Sequence, residues 1–192
     1  MYCSVIKRLL AVVLSVCGLA LLSWLFLLIA LAIKMDSPGP VFFRQKRVGI
    51  HKKHFEIMKF RTMRTDTPAD VPTHLLTDPE QFLTKTGRFL RKTSLDELPQ
   101  LINILRGDMT VVGPRPALWN QYDLLKERDR YGANDVRPGL TGWAQVNGLR
   151  GDSSIKKRIE YDIYYIENWT IGFDIKIILM TFFTGFINKN AY

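Results

Sequence analysis

The longest uninterrupted hydrophobic stretch runs from Leu9 to Ile33 and contains no charged residue, with Lys7 and Arg8 before it and Lys34 after it. A straight helix of that length, at about 1.5 Å per residue, exceeds a hydrocarbon core of about 30 Å, so the pattern predicts a membrane helix over residues 1–36. Beyond Asp36-Ser37-Pro38-Gly39-Pro40 the pattern changes to short β-branched and aromatic runs, Val41 to Val48 and His54 to Phe60, divided by a basic turn around Gly49. These predict a β-hairpin. Residues 65–79 are rich in Thr, Pro and Asp and predict a loop placed to act as a lid, and Pro79 to Leu90 predicts a short helix. In Thr93 to Pro116, Leu98, Leu101, Ile102 and Leu105 form an apolar stripe that Gly107 can end. Ile155, Ile159, Ile163 and Ile166 mark one face of a helix over Asp152 to Ile166, with Asp162 near that face. The final apolar run, Ile175 to Ile187, is too short at about 13 residues to span a bilayer; it either lies on the membrane surface or packs beneath the domain.

The fold class expected is therefore α+β: a mostly helical, membrane-associated domain over residues 37–192 with a small β-hairpin, preceded by the membrane segment. A chain of 192 residues leaves enough outside that segment for one domain with its own core. Basic residues flank the segment on both sides, with more following, at Arg44, Lys46, Arg47, Lys52 and Lys53. The positive-inside bias puts the domain in the cytoplasm, and it favours a re-entrant hairpin over a spanning helix because Lys7 and Arg8 then stay inside as well. The net charge of +9 suits anionic lipid headgroups or phosphorylated substrates, and by sign alone would suit nucleic acid. No nucleic-acid motif, Walker loop or dinucleotide fingerprint accompanies it. Cys3 and Cys17 lie in or beside the apolar segment, a poor place for a structural disulfide, and His51 and His54 have no partners at metal-ligand spacing.

Candidate chemistry gathers between Thr93 and Pro116. Asp96 and Glu97 are adjacent carboxylates near a helix start, which Ser94 and Glu97 mark by capping-box spacing, unless Pro99 moves the first turn to Leu98. Gly113-Pro114-Arg115-Pro116 holds one arginine between two prolines, a stiff arrangement suited to bidentate phosphate recognition.

Thr93 to Pro116, together with KFRTM at Lys59 to Met63 and VRPGLTGWAQVNG at Val136 to Gly148, resembles the bacterial sugar transferases known as monotopic phosphoglycosyl transferases, and the resemblance is to their small members. It covers nearly the whole chain. It implies transfer of a sugar phosphate from a UDP-sugar to polyprenyl (undecaprenyl) phosphate, with release of UMP, at the inner leaflet of the bacterial cytoplasmic membrane. It further implies Asp96 as a covalent nucleophile, Asp96 and Glu97 as Mg2+ ligands, and Lys59, Arg61, Arg88, Arg91, Arg115 and Arg137 as cations for the substrates. Gln145 and Asp162 are implied as nucleotide or sugar contacts. The chain departs from the family at two places: Ala11 stands where an acid is expected, and Trp24 follows Ser23 where a helix-breaking proline is expected. Ser23 bonding back to a carbonyl, or Gly18, could still admit a bend. Two other readings compete: a degenerate member kept as a scaffold, and a membrane-tethered basic binding protein.

Overall fold

The computed structural model describes residues 2–67, 79–149 and 155–187. Most of the expected lid, residues 68–78, lies outside the described residues. The N-terminal segment forms two helices, α1 (Tyr2–Leu21) and α2 (Ser23–Asp36), bent by 62° at Leu22. No single described helix is long and apolar enough to cross a membrane, whereas this bent pair meets the length and composition needed. The bend forms without proline. Leu22 leaves helical geometry at φ −97°, ψ 6°, and the Ser23 hydroxyl donates to the Ala20 carbonyl at 2.9 Å, satisfying an acceptor at the break.

The expected hairpin is present as β1 (Phe42–Val48) and β2 (His54–Phe60), antiparallel with Phe42 opposite Phe60 and Val48 opposite His54. Helix α3 (Lys85–Thr93) is capped by Thr84, whose hydroxyl accepts from the Gly87 amide at 2.9 Å. Here the capping-box expectation is corrected: Ser94 makes no side-chain cap and adopts a left-handed conformation, φ 57°, that ends α3. Leu95–Glu97 is then a single 3-10 turn, and helix α4 (Gln100–Arg106) starts just after Pro99, which has no N–H to give to a helical ladder. Asp96 thus sits in the turn ahead of α4. Gly107 ends α4 as expected, at φ +95°. The buried face of α4 is Gln100, Leu101, Asn103 and Ile104, with Ile102 and Leu105 only half-buried, so the apolar stripe read from sequence is displaced around the helix.

The chain continues through β3 (Thr110–Val112), α5 (Tyr122–Asp129), β4 (Gly139–Thr141), the short α6 (Trp143–Val146), α7 (Ile155–Glu167) and α8 (Ile171–Ile187). The β3–β4 pair is parallel and was not expected. It brings the glycine-proline motifs together: a Cβ on Gly139 would lie 2.1 Å from the Gly113 nitrogen, and one on Gly142 would lie 2.2 Å from the Gly113 oxygen. Only glycine permits that approach.

Both halves of the bent segment pack onto the domain. Ala11 of α1 is buried with Ile57, Leu101, Ile104 and Met109, where an acid would be left without a partner in an apolar cluster. Ile29 and Ile33 of α2 pack with Phe60 and Leu90. Near the start of α1, Lys7 pairs with Asp174 at 3.0 Å and donates to the Tyr165 hydroxyl, while Arg8 donates to the Ile104 and Leu105 carbonyls at 2.5 and 3.0 Å. At the end of α2, Asp36 accepts from the Thr86 amide at 2.7 Å. The opposite faces of both helices expose Leu9, Leu10, Val13, Leu14, Val16, Trp24, Leu27, Leu28 and Leu31, a run of apolar side chains of the kind that marks a contact surface. Helix α8 divides likewise: Ile177 is fully buried, and Ile175, Leu179, Phe182 and Phe183 are exposed.

Candidate active site

Asp96 and Glu97 lie where the 3-10 turn meets β2 and the Gly113–Pro116 segment. The Lys59 ammonium, from β2, pairs with Glu97 Oε1 at 2.6 Å and stands 3.8 Å from Asp96 Oδ2. Arg115 Nη2 meets the same Glu97 oxygen at 3.0 Å. Burial by itself would raise the Glu97 pKa, but Arg115 and Lys59 overcome it and hold this carboxyl well below the usual range. Asp96 moves the other way. It is 8% exposed, accepts no hydrogen bond from any described residue, and is pushed above the usual range by burial, with Lys59 opposing the shift and Glu97 adding to it. Two adjacent acids are therefore tuned apart, Glu97 as a fixed anion between two cations and Asp96 as a desolvated carboxylate with free oxygens.

Asn103 sets this geometry from behind. It is fully buried in α4; its Oδ1 accepts from the Met58 amide at 2.9 Å and its Nδ2 donates to the Glu56 carbonyl at 2.7 Å. The helix after the carboxylates is thereby fastened to the strand that carries Lys59. Asn103→Leu leaves both backbone groups unpaired, and we expect a loss of about 3 kcal/mol in urea unfolding.

Behind Arg115 lies a group of arginines that the motifs did not announce. Arg128 on α5 pairs with Asp162 on α7 through Nη2 at 2.5 Å and Nε at 3.2 Å, both residues being buried. Arg128 and Arg158 each donate to the Arg115 carbonyl, at 3.1 and 2.9 Å, and Arg47 donates to the Pro116 carbonyl at 3.1 Å. Arg47 and Arg158 are pushed down to about 9, by burial first and then by neighbouring guanidiniums, so positive charge is in excess here. Arg47 Nε is also buried without a partner among the described residues. Arg158 and Asp162, four residues apart on one helix, left a legible sign in the sequence. Arg47 left none.

The other expected residues fall in several places. Arg91 bonds to Thr62 Oγ1 at 3.1 Å and is one of the charges acting on Asp96. Arg61 is buried and spent on the Pro38 and Ser37 carbonyls, at 2.5 and 2.8 Å. Arg88 is exposed, 3.4 Å from Glu80. Gln145 donates to the Leu140 carbonyl at 3.1 Å, and its Oε1 is buried with no partner among the described residues. Arg137 bonds to the Gly107 carbonyl at 3.1 Å, at the far end of α4 from Asp96. His51 pairs with Asp135 on an exposed surface. Among the described residues, no group of three or more His, Cys, Asp or Glu side chains converges as a metal cage would.

Comparison with known proteins bears on this arrangement. The profile described as bacterial sugar transferase matches residues 2–188. The UDP-glucose:undecaprenyl-phosphate glucose-1-phosphate transferase of Escherichia coli (strain K12) is 47% identical over 194 residues, covering 97% of this chain and 41% of that protein. The uncharacterized sugar transferase EpsL of Bacillus subtilis (strain 168) is 42% identical over 177 residues, 92% of this chain and 85% of that one. The UDP-N-acetylgalactosamine-undecaprenyl-phosphate N-acetylgalactosaminephosphotransferase of Aeromonas hydrophila is 39% identical over 189 residues, 94% and 44% respectively. The chain spans 41 to 42% of the length of three of the glucose-1-phosphate transferases it matches.

Proposed function

Since the chain belongs to the bacterial sugar transferase family, we propose that it transfers a sugar 1-phosphate from a UDP-sugar to undecaprenyl phosphate, as the names of its relatives state for them. The observation that carries this reading is the state of Asp96: buried, accepting no hydrogen bond among the described residues, and beside an ammonium and a guanidinium that Glu97 holds in place. A buried carboxylate held by no close hydrogen bond is a better nucleophile than one already satisfied, and the nearby cations offset its repulsion by a diphosphate.

In the first step an Asp96 oxygen attacks the phosphorus that bears the sugar. The bond from that phosphorus to the bridging oxygen breaks, and the electron pair leaves with UMP. In the second step an oxygen of polyprenyl phosphate attacks the same phosphorus, forming the lipid diphosphate sugar and returning Asp96 as a carboxylate. Lys59 and Arg115 are placed to neutralise phosphoryl oxygens while the attacking and leaving groups align, and the surplus charge of Arg47 and Arg158 favours the dianionic donor. Magnesium fits this donor set, because it is commonly held by one or two carboxylates together with substrate phosphates. Asp96 would hold it with the second oxygen of Glu97, Oε1 being engaged by Lys59 and Arg115. When bound, the ion would offset charge building on the phosphoryl oxygens.

We read the bent pair as a re-entrant hairpin in one leaflet. Supporting this, Lys7 and Arg8 near its start and Asp36 at its end all bond to the one catalytic domain, whereas a spanning helix would separate those ends by a bilayer thickness. The domain then faces the cytoplasm, where the UDP-sugar is, and the apolar faces of α1 and α2 meet the lipid. Trp24 is the second residue of α2 and 61% exposed, and proline is tolerated in a first turn. Trp24→Pro is accordingly expected to keep at least wild-type activity; a clear loss would show that the bend depends on something proline disturbs.

The reaction is tested by UMP release from detergent-purified protein given polyprenyl phosphate and a panel of UDP-sugars, with magnesium or with a chelator. Lipid-dependent UMP from one donor, lost on chelation, is the expected result. No release across the panel from folded protein would favour the scaffold reading.

A further inference from the structure

At the opposite end of α4 from the carboxylates, an open surface cavity of about 280 Å³ is lined by Val5, Arg8, Leu9 and Arg137. We propose that this cavity binds the phosphate headgroup of an anionic membrane phospholipid, at a place separate from the lipid acceptor's. Its two cations are fixed before any ligand arrives: Arg8 by the Ile104 and Leu105 carbonyls, Arg137 by the Gly107 carbonyl through Nε alone. The two Nη groups of Arg137 meet no acceptor among the described residues, leaving the planar fork that recognises phosphate in a bidentate manner. Among the described residues the acid acting on Arg8 is Asp108, which accepts from Asn103 at 3.2 Å; two guanidiniums against that one carboxylate leave the cavity positive.

The other walls select a lipid over a soluble anion. Val5 and Leu9 are 57% and 61% exposed on the outer face of α1, where they continue into the apolar surface of Val13 and Val16. A phosphate held by Arg137 would thus have its acyl chains along a surface that already meets the membrane. The acceptor is the wrong occupant on geometric grounds: its phosphate must touch the phosphorus carried by Asp96, and the seven residues of α4 put about 10 Å of helix between that turn and Gly107. A lipid bound here would instead brace the C-terminal end of the helix that follows the active-site turn.

Native mass spectrometry of the detergent-purified protein, titrated separately with phosphatidylglycerol, phosphatidylcholine and polyprenyl phosphate, tests this without reference to turnover. One phosphatidylglycerol should bind at least about tenfold more tightly than phosphatidylcholine. Arg137→Gln, which removes the fork, and Val5→Trp, which fills the cavity while keeping both arginines in the sequence, should each weaken phosphatidylglycerol about tenfold or more. Inorganic phosphate at the same concentration should not displace it. Equal binding of the two phospholipids, or variants that keep phosphatidylglycerol at the wild-type level, would overturn the proposal. Loss of polyprenyl phosphate in both variants with phosphatidylglycerol unaffected would give the cavity to the acceptor and overturn it as well.

Discussion

Asp96→Asn should lose UMP release by a factor on the order of 10⁴ or more while becoming more stable than the parent protein. The loss follows because the amide has no anionic oxygen to attack phosphorus, and no neighbouring carboxylate can replace it, Glu97 being held as a fixed anion by Lys59 and Arg115. The covalent phosphosugar, trapped from a donor labelled in the sugar, should be absent in the variant. The gain in stability follows from the raised pKa: the folded state holds the Asp96 charge less favourably than the unfolded chain does. That cost is fully present above the folded-state pKa and is relieved as pH falls through it toward the ordinary carboxylate range. Removing the charge should therefore raise the midpoint at neutral pH, by about 1 kcal/mol in urea, with the difference from wild type shrinking in acid. The same shift puts the acid limb of the activity profile above the ordinary carboxylate range, and Lys59→Met should move it further up by removing the chief opposing charge. A variant that still releases UMP would remove Asp96 as nucleophile, and one that is less stable would remove the account of its desolvation.

Glu97 has the opposite linkage. Its lowered pKa contributes stability that is present above the ordinary carboxylate range and is lost as pH falls through the folded-state value, so this pair of acids pulls the acid stability profile in two directions.

Asp162→Ala is expected to cost about 3 to 5 kcal/mol, because it leaves the buried Arg128 guanidinium unpaired among Arg158, Arg115 and Arg47. The cause is the stranded cation more than the lost attraction, which a second substitution can separate. Arg128→Leu in the Asp162→Ala background removes that cation and should recover part of the loss, although the Arg115 carbonyl loses its bond from Arg128 and keeps the one from Arg158. Urea unfolding of the two single variants and the double reads this coupling directly. A cost below about 1 kcal/mol for Asp162→Ala would mean the pair is open to water and the arginine group is less crowded than described. With the clamp on Arg115 loosened, KM for the UDP-sugar should rise in whatever Asp162→Ala protein remains folded.

The sequence by itself determined the elements whose causes are local: the uncharged run that becomes α1 and α2, the alternating segments of the hairpin, the glycine that ends α4, and the α7 face that buries Ile159. It also determined the motifs, since an acid pair beside a braced arginine is recognisable without coordinates. The tertiary structure alone decided how those motifs work. Ser94 ends one helix where its spacing promised to begin another, because a left-handed turn and Pro99 together exclude a continuous ladder. The parallel β3–β4 pair, which joins residues far apart in the chain, brings Gly113 onto Gly139 and so fixes Arg115. Which cations reach the carboxylates follows from the same long-range packing: Lys59 arrives on a strand, and Arg47, Arg128 and Arg158 come from three other elements to hold the Arg115 segment, while Arg61 and Arg137 are bound to carbonyls elsewhere. Helix and turn signals act over a few residues and can be read along the chain; charge acts through space, and its partners are settled only once the chain has packed.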